Sequence, residues 1–148
     1  MSGPHSVQGL SPGLIKLYRR VKARIVGAAL MIDFGGFPIG AVDYNKVFPE
    51  ENPEGILETE FTYAVENDIH DTAGELGLKI KPGGLCQFTE FRTKDRDGEL
   101  EEYERCAGVL PSGHHLHVVY QRAVRPTSRH LKVIGVVLKD TEGRKVLG

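Results

Sequence analysis

Apolar residues recur at Leu14, Leu17, Val21 and Ile25, the spacing of a helix that buries one face. Ser11-Pro12 stands just ahead of them, a capping hydroxyl followed by the residue best suited to the first helical position. An amphipathic helix is therefore predicted over about 12–22. Residues 24–33 form a continuous apolar run, read as a strand buried on both faces. Gly35-Gly36 turns the chain, and 37–44 resumes as a second strand. Pro49, Pro53 and Gly55, with acids between them, mark a loop over about 46–57. Thr59 is the expected cap of a second helix over about 59–76, with Val65, Ile69, Ala73 and Leu76 on one face. Gly77 stands where a left-handed C-terminal residue is needed. Strand patterns follow: 85–93 and 99–107 flank Asp97-Gly98, a hairpin signal, and 115–124 and 131–139 complete the chain.

This order of helix, two strands, loop, helix and four strands predicts an α+β fold, one long helix packed on a mixed β-sheet with an additional N-terminal helix. A chain of 148 residues suffices for one core. Residues 1–10 read as a flexible lead and 11–148 as a single domain. The formal net charge of −1 supplies no global field for nucleic acid or anionic membrane, and no apolar run approaches the roughly 20 residues of a bilayer span. The polar N-terminus lacks the layout of a signal peptide. Cys86 and Cys106 make no disulfide framework. The expected location is the cytoplasm. A homodimer is compatible with all of this.

Three acids on the second helix change the picture. Asp68, Asp71 and Glu75 are spaced i, i+3, i+7 and form one stripe flanking the apolar face. Clustered carboxylates suit hard cations such as Mg²⁺ or Mn²⁺, which bridge phosphate oxygens and activate water. A solvated acidic face is the plainer alternative. The stretch His70-Asp71-Thr72-Ala73-Gly74-Glu75-Leu76-Gly77-Leu78 resembles the signature helix of the Nudix hydrolases, R-E-U-x-E-E-x-G-U with U aliphatic. Asp71 and Glu75 align with metal-binding acids, and Gly77-Leu78 matches the end. His70 stands in place of the Arg, Thr72 of an aliphatic residue and Gly74 of a Glu. Upstream, Gly55 and Glu60 fall out of register with the box, whereas the segment 36–43 is similar to a G-F-P-G-G-x-V-D stretch that precedes it in some members.

The resemblance implies a Nudix-like domain holding Mg²⁺ or Mn²⁺ on Asp71 and Glu75, with Asp68 as a further ligand, and cleaving a nucleoside diphosphate linked to another group. Tyr44, Phe88, Phe91 and Tyr120 could stack a base, with Phe37 as a further substrate-binding candidate, although aromatic residues in strands are more often core. The departures at His70 and Gly74 favour the alternative, an inactive binding or scaffold module for a protein or RNA partner. Lys16, Arg19 and Arg20 on the first helix would supply its contact surface, if they are more than a solvated basic face. A β-rich structural or assembly protein is a third class.

A second cluster, His114-His115-Leu116-His117, places His115 and His117 on one face if it is a strand. Two histidines at i, i+2 can share one metal, as in cupins. Here Gln121 stands near the position of the cupin carboxylate, and His130 is the candidate for a further ligand. Packing of one His in the core is the alternative. Glu99, Glu101, Glu102 and Glu104 read as a solvated strand face, with Glu102 and Glu104 as candidates for an additional metal-binding or base Glu. Both cysteines read as buried apolar residues.

Overall fold

Ser11 caps the first helix through its side chain, accepting a hydrogen bond from the Leu14 amide at 3.2 Å. Pro12 fills the first helical position. The computed structural model describes residues 10–29, 54–83, 92–94, 96–123 and 131–148. Helix α1 spans Pro12–Ile25 and α2 spans Glu54–Glu75. Six strands follow: β1 Lys81–Pro82, β2 Arg92–Lys94, β3 Leu100–Val109, β4 His115–Ala123, β5 Leu131–Lys139 and β6 Lys145–Leu147. The sheet order is β1-β3-β4-β5-β6, with β2 also paired to β3. Because β4 pairs along β3 on one side, β1 and β2 share its other edge. The expected helices over a sheet in an α+β arrangement are present, and among the described residues the sheet shows no parallel pair. Every pairing among the described strands is antiparallel, as short turns between successive strands require.

The helices cover one face. Helix α1 packs on α2 and β5, and α2 packs on β3. Leu14, Leu17, Val21 and Ile25 are all buried along α1, as their spacing predicts. Tyr18 joins them and donates its hydroxyl to the Val136 carbonyl of β5 at 3.0 Å. On the sheet, Tyr103, Leu116, Val118, Tyr120, Val133, Val136 and Leu138 are buried. Tyr103 stacks on Tyr120 at a centroid distance of 5.3 Å, and Phe61 of α2 meets Tyr120 edge-on. Helix α2 buries a broad face, Phe61, Thr62, Ala64, Val65, Asp68, Ile69, Thr72 and Ala73, because it touches both α1 and the sheet.

Two predicted boundaries and one predicted surface are corrected. Arg24 and Ile25 end α1 and do not open a strand. Ile25 is one more turn of the buried stripe, and the helix stops before Gly27, whose φ is +96°. Residues 54–57 are helical rather than loop, so Thr59 lies inside α2 and does not cap it. The expected solvated face at 99–104 is half wrong, since Glu101 and Glu104 are buried. Of the strand expected over 24–33, Ala28 and Ala29 pair antiparallel with β5, through a Val133 amide to Ala28 carbonyl bond of 2.8 Å and a bridge from Ala29 to Lys132, whereas 30–33, the strand expected at 37–44 and most of 85–93 lie outside the described residues. The strand at 131–139 has its expected bounds.

The predicted stop of α2 is present. Gly77 has φ +72°, and the Leu78 amide reaches back to the Ala73 carbonyl at 2.8 Å, closing the end of the helix as a left-handed glycine permits. Gly74, by contrast, is exposed, and a Cβ added there meets nothing within 4 Å. Gly74→Ala should therefore raise stability by about 1 kcal/mol, while Gly77→Ala should lower it by about as much. Urea unfolding of the two variants beside the wild type checks both signs.

Candidate functional site

The three acids of α2 have different fates. Asp68 is buried and faces α1, where Arg24 grips it in a two-point ion pair. Arg24 Nε donates to Oδ2 at 2.9 Å, and Nη2 donates to Oδ1. The hydrogen bond and charge of Asp68 push the Arg24 guanidinium above its ordinary value, against a small effect of burial, and Glu75 and Asp71 add to the field. Asp71 and Glu75 are exposed. Among the described residues, these three acids form no trio close enough to share one ion.

The box substitutions also have structural roles. Thr72 is buried and donates its hydroxyl to the Asp68 carbonyl one turn earlier at 2.7 Å. His70 Nε2 lies 2.9 Å from the Ala107 carbonyl of β3. A carbonyl only accepts, so that nitrogen carries the proton and ties α2 to the sheet. Glu66, an acid the sequence did not single out, faces β3 with its Oε2 3.8 Å from Arg105 Nη2. Lys16, Arg19 and Arg20 are exposed on α1, where with Pro12, Ile15 and Ala23 they line a shallow surface groove. Phe37, Tyr44, Phe88 and Phe91 lie outside the described residues, as do Cys86 and His130, and Tyr120 belongs to the core.

A second constellation stands on the sheet face turned away from the helices. His115 and His117 lie side by side on β4, as alternation predicts, with ring centroids 6.1 Å apart. Cys106 on β3 pairs directly with His117. The Cys106 sulfur and one nitrogen of each histidine all lie within 4.8 Å of one another. His117 is 2% exposed, and its Nδ1 sits 2.9 Å from Glu104 Oε2. Lys139 of β5 closes on the same carboxylate oxygen. Burial works to raise the Glu104 carboxyl, but hydrogen bonds from His117 and Lys139 outweigh it and hold the group below its ordinary value. Burial, followed by the nearby charges of His117, His114 and Lys139, lowers His115. His114 belongs to the preceding turn, its Nδ1 2.8 Å from Ser112 Oγ.

Sequence reasoning found the histidine pair but not its partners. Cys106 and Glu104 arrive by strand pairing, and the register between β3 and β4 shifts between Cys106 and Gly108. Straight pairing from His115 and Val109 would set Cys106 against Val118, on the helix-covered face. The bulge brings it opposite His117 instead. Gly108 accommodates this bend beneath Ile80, whose side chain a Cβ would overlap.

Comparison with protein-family models, curated proteins and solved structures gives no match. Among the described residues, no helix is long and apolar enough to cross a membrane.

Burial raises the Glu66 carboxyl above its ordinary value, with Arg105 offsetting part of the effect. A raised carboxyl favours the folded state most when protonated. Its contribution is complete below the unfolded-state pKa and is lost as pH rises through the folded one. Glu66→Gln should therefore be more stable than wild type at neutral pH, with the advantage shrinking toward and below the ordinary carboxylate range. Thermal unfolding across that pH window gives the sign.

Proposed function

We propose that this domain is a binding module and not a nucleotide hydrolase. The observation that carries this reading is the Arg24–Asp68 pair. It commits one of the three candidate acids to holding two helices together. Gly74 removes the carboxylate that the Nudix pattern would pair with Glu75, so only Asp71 and Glu75 remain, one turn apart and exposed. Two exposed carboxylates make a poor cage for Mg²⁺ or Mn²⁺, which need several fixed oxygens. The likeness to the Nudix signature is then a likeness of helix ending, Gly77-Leu78, rather than of metal site.

The surface assigned to partner contact is the outer face of α1. Its groove has an apolar floor at Pro12, Ile15 and Ala23 and cations at Lys16, Arg19 and Arg20. An acidic protein segment with apolar side chains complements both features. Nucleic acid fits less well, because the sequence pI of about 6.6 is far from the basic balance of such binders.

Calorimetric titration with Mn²⁺, on wild type and Asp71→Ala/Glu75→Ala, tests the reading. The expected result is no saturable binding that depends on those two acids, and no Mn²⁺-dependent hydrolysis of nucleoside diphosphate conjugates. Saturable binding abolished by the double substitution, with hydrolysis in the wild type, would restore the hydrolase.

A further inference from the structure

We propose that Cys106, His115 and His117 form a binding site for a thiophilic transition metal of the Zn²⁺ class, with Glu104 as the positioning residue for His117. This site is independent of the acids on α2 and of the groove on α1. The donor set is the first argument. One thiolate and two imidazoles suit zinc and its neighbours, whereas Mg²⁺ and Ca²⁺ seek oxygen. Three protein ligands leave a fourth tetrahedral position for water or an exogenous ligand.

The geometry is the second. The three donor atoms lie within 4.8 Å of one another, and donors around a tetrahedral zinc stand about 3.5 Å apart. Small side-chain rotations close that gap, since all three residues sit on neighbouring, hydrogen-bonded strands. His115 and His117 share one strand, and Cys106 is the cross-strand partner of His117. Cys106 shares the face of Glu104, two residues earlier on β3, and the register shift follows just beyond it, before Gly108. The Cys106 sulfur rests 3.6 Å from the Gly108 carbonyl, close to the bend itself.

The orientation of His117 is the third. A metal-binding imidazole characteristically gives its other N–H to a carboxylate, which fixes the tautomer and directs the remaining nitrogen at the metal. Glu104 stands 2.9 Å from His117 Nδ1, so His117 binds through Nε2. Lys139 holds the same Glu104 oxygen from β5. A carboxylate–histidine pair buried on a sheet face, next to a cysteine and a second histidine, is the arrangement that such a site requires.

Titration of the full, reduced chain with Co²⁺, followed by absorbance, reads the site directly. Thiolate ligation gives a charge-transfer band in the near ultraviolet, and tetrahedral geometry gives visible bands. Wild type should show both, and Zn²⁺ should displace them at stoichiometric amounts. Cys106→Ser should abolish the charge-transfer band, His115→Ala should abolish tight binding, and Cys86→Ser should change nothing. Glu104→Gln should keep the spectrum while weakening Co²⁺ affinity about 10–100-fold, the usual effect of removing such a carboxylate. Far-ultraviolet circular dichroism establishes that each variant is folded, and the near-isosteric Cys106→Ser is the deciding one. A wild type without a thiolate band overturns the site. So does a band that survives Cys106→Ser and disappears in Cys86→Ser. Unchanged affinity in Glu104→Gln overturns the positioning role. Because Mn²⁺ reports the α2 acids and Co²⁺ with its thiolate band reports Cys106, failure here is distinguishable from failure of the binding-module reading.

Discussion

The ion pair between Arg24 and Asp68 fixes how helices α1 and α2 dock on each other. It joins the last turn of α1 to the middle of α2 by two parallel N–H to carboxylate bonds, the geometry in which arginine binds carboxylate best. Asp68 is almost fully covered, and a buried carboxylate without its partner carries a large desolvation cost. Once Arg24 holds it, Asp68 is a structural element of the helix layer. Asp71 and Glu75 stay exposed on the same helix. Around this clamp, His70 and Glu66 bind α2 to β3 and Tyr18 binds α1 to β5, so polar contacts set the position of both helices over an apolar sheet.

The opposite face of the sheet follows a different rule. There the covered groups are polar or ionisable, and each depends on a neighbouring strand. Glu104 on β3, His117 on β4 and Lys139 on β5 form one cross-strand network. Burying these groups is tolerable because each charge has an opposite one at hydrogen-bond range. Cys106 on β3 adds a thiol beside the histidines. The two faces differ in character: the helix-covered one is mostly apolar, and the other gathers Glu104, Cys106, His115, His117 and Lys139.

Much of the fold was legible in the sequence because its signals are local. Ser11-Pro12 marked a cap that exists, Asp97-Gly98 marked a turn with Gly98 at φ +71°, and Gly77 marked the end of α2. The strand at 131–139 was readable from its β-branched run. Errors arose where two local signals competed. Ile25 fitted both a helical stripe and an apolar run, and the buried stripe won. Thr59 looked like a cap, yet the helix had begun at Glu54. The acids at 99–104 read by charge alone as one solvated face, yet a strand alternates its side chains. In a strand, Glu101 and Glu104 point to opposite faces, and each found its own partner, Arg122 for one and His117 with Lys139 for the other. Asp68 was legible as an acid beside an apolar face, but its engagement by Arg24 depends on how two distant helices dock. The meeting of Cys106 with the histidines was the least legible of all. Alternation sets Cys106 on the face of Glu104, but the strand pairing that brings it opposite His117 includes a one-residue bulge before the turn, which no local pattern announces.

A double-mutant cycle on Arg24→Met and Asp68→Leu, read by urea unfolding with each variant also titrated with Mn²⁺, tests the central claim most directly. The account predicts that either single substitution destabilises the fold and that the pair is coupled by about 1 kcal/mol, a value tempered by the partial exposure of Arg24. It predicts no Mn²⁺ binding in any of the four proteins that depends on Asp68. A coupling near zero, together with Mn²⁺ binding lost on Asp68→Leu, would show that Asp68 serves a metal and not the helix pair.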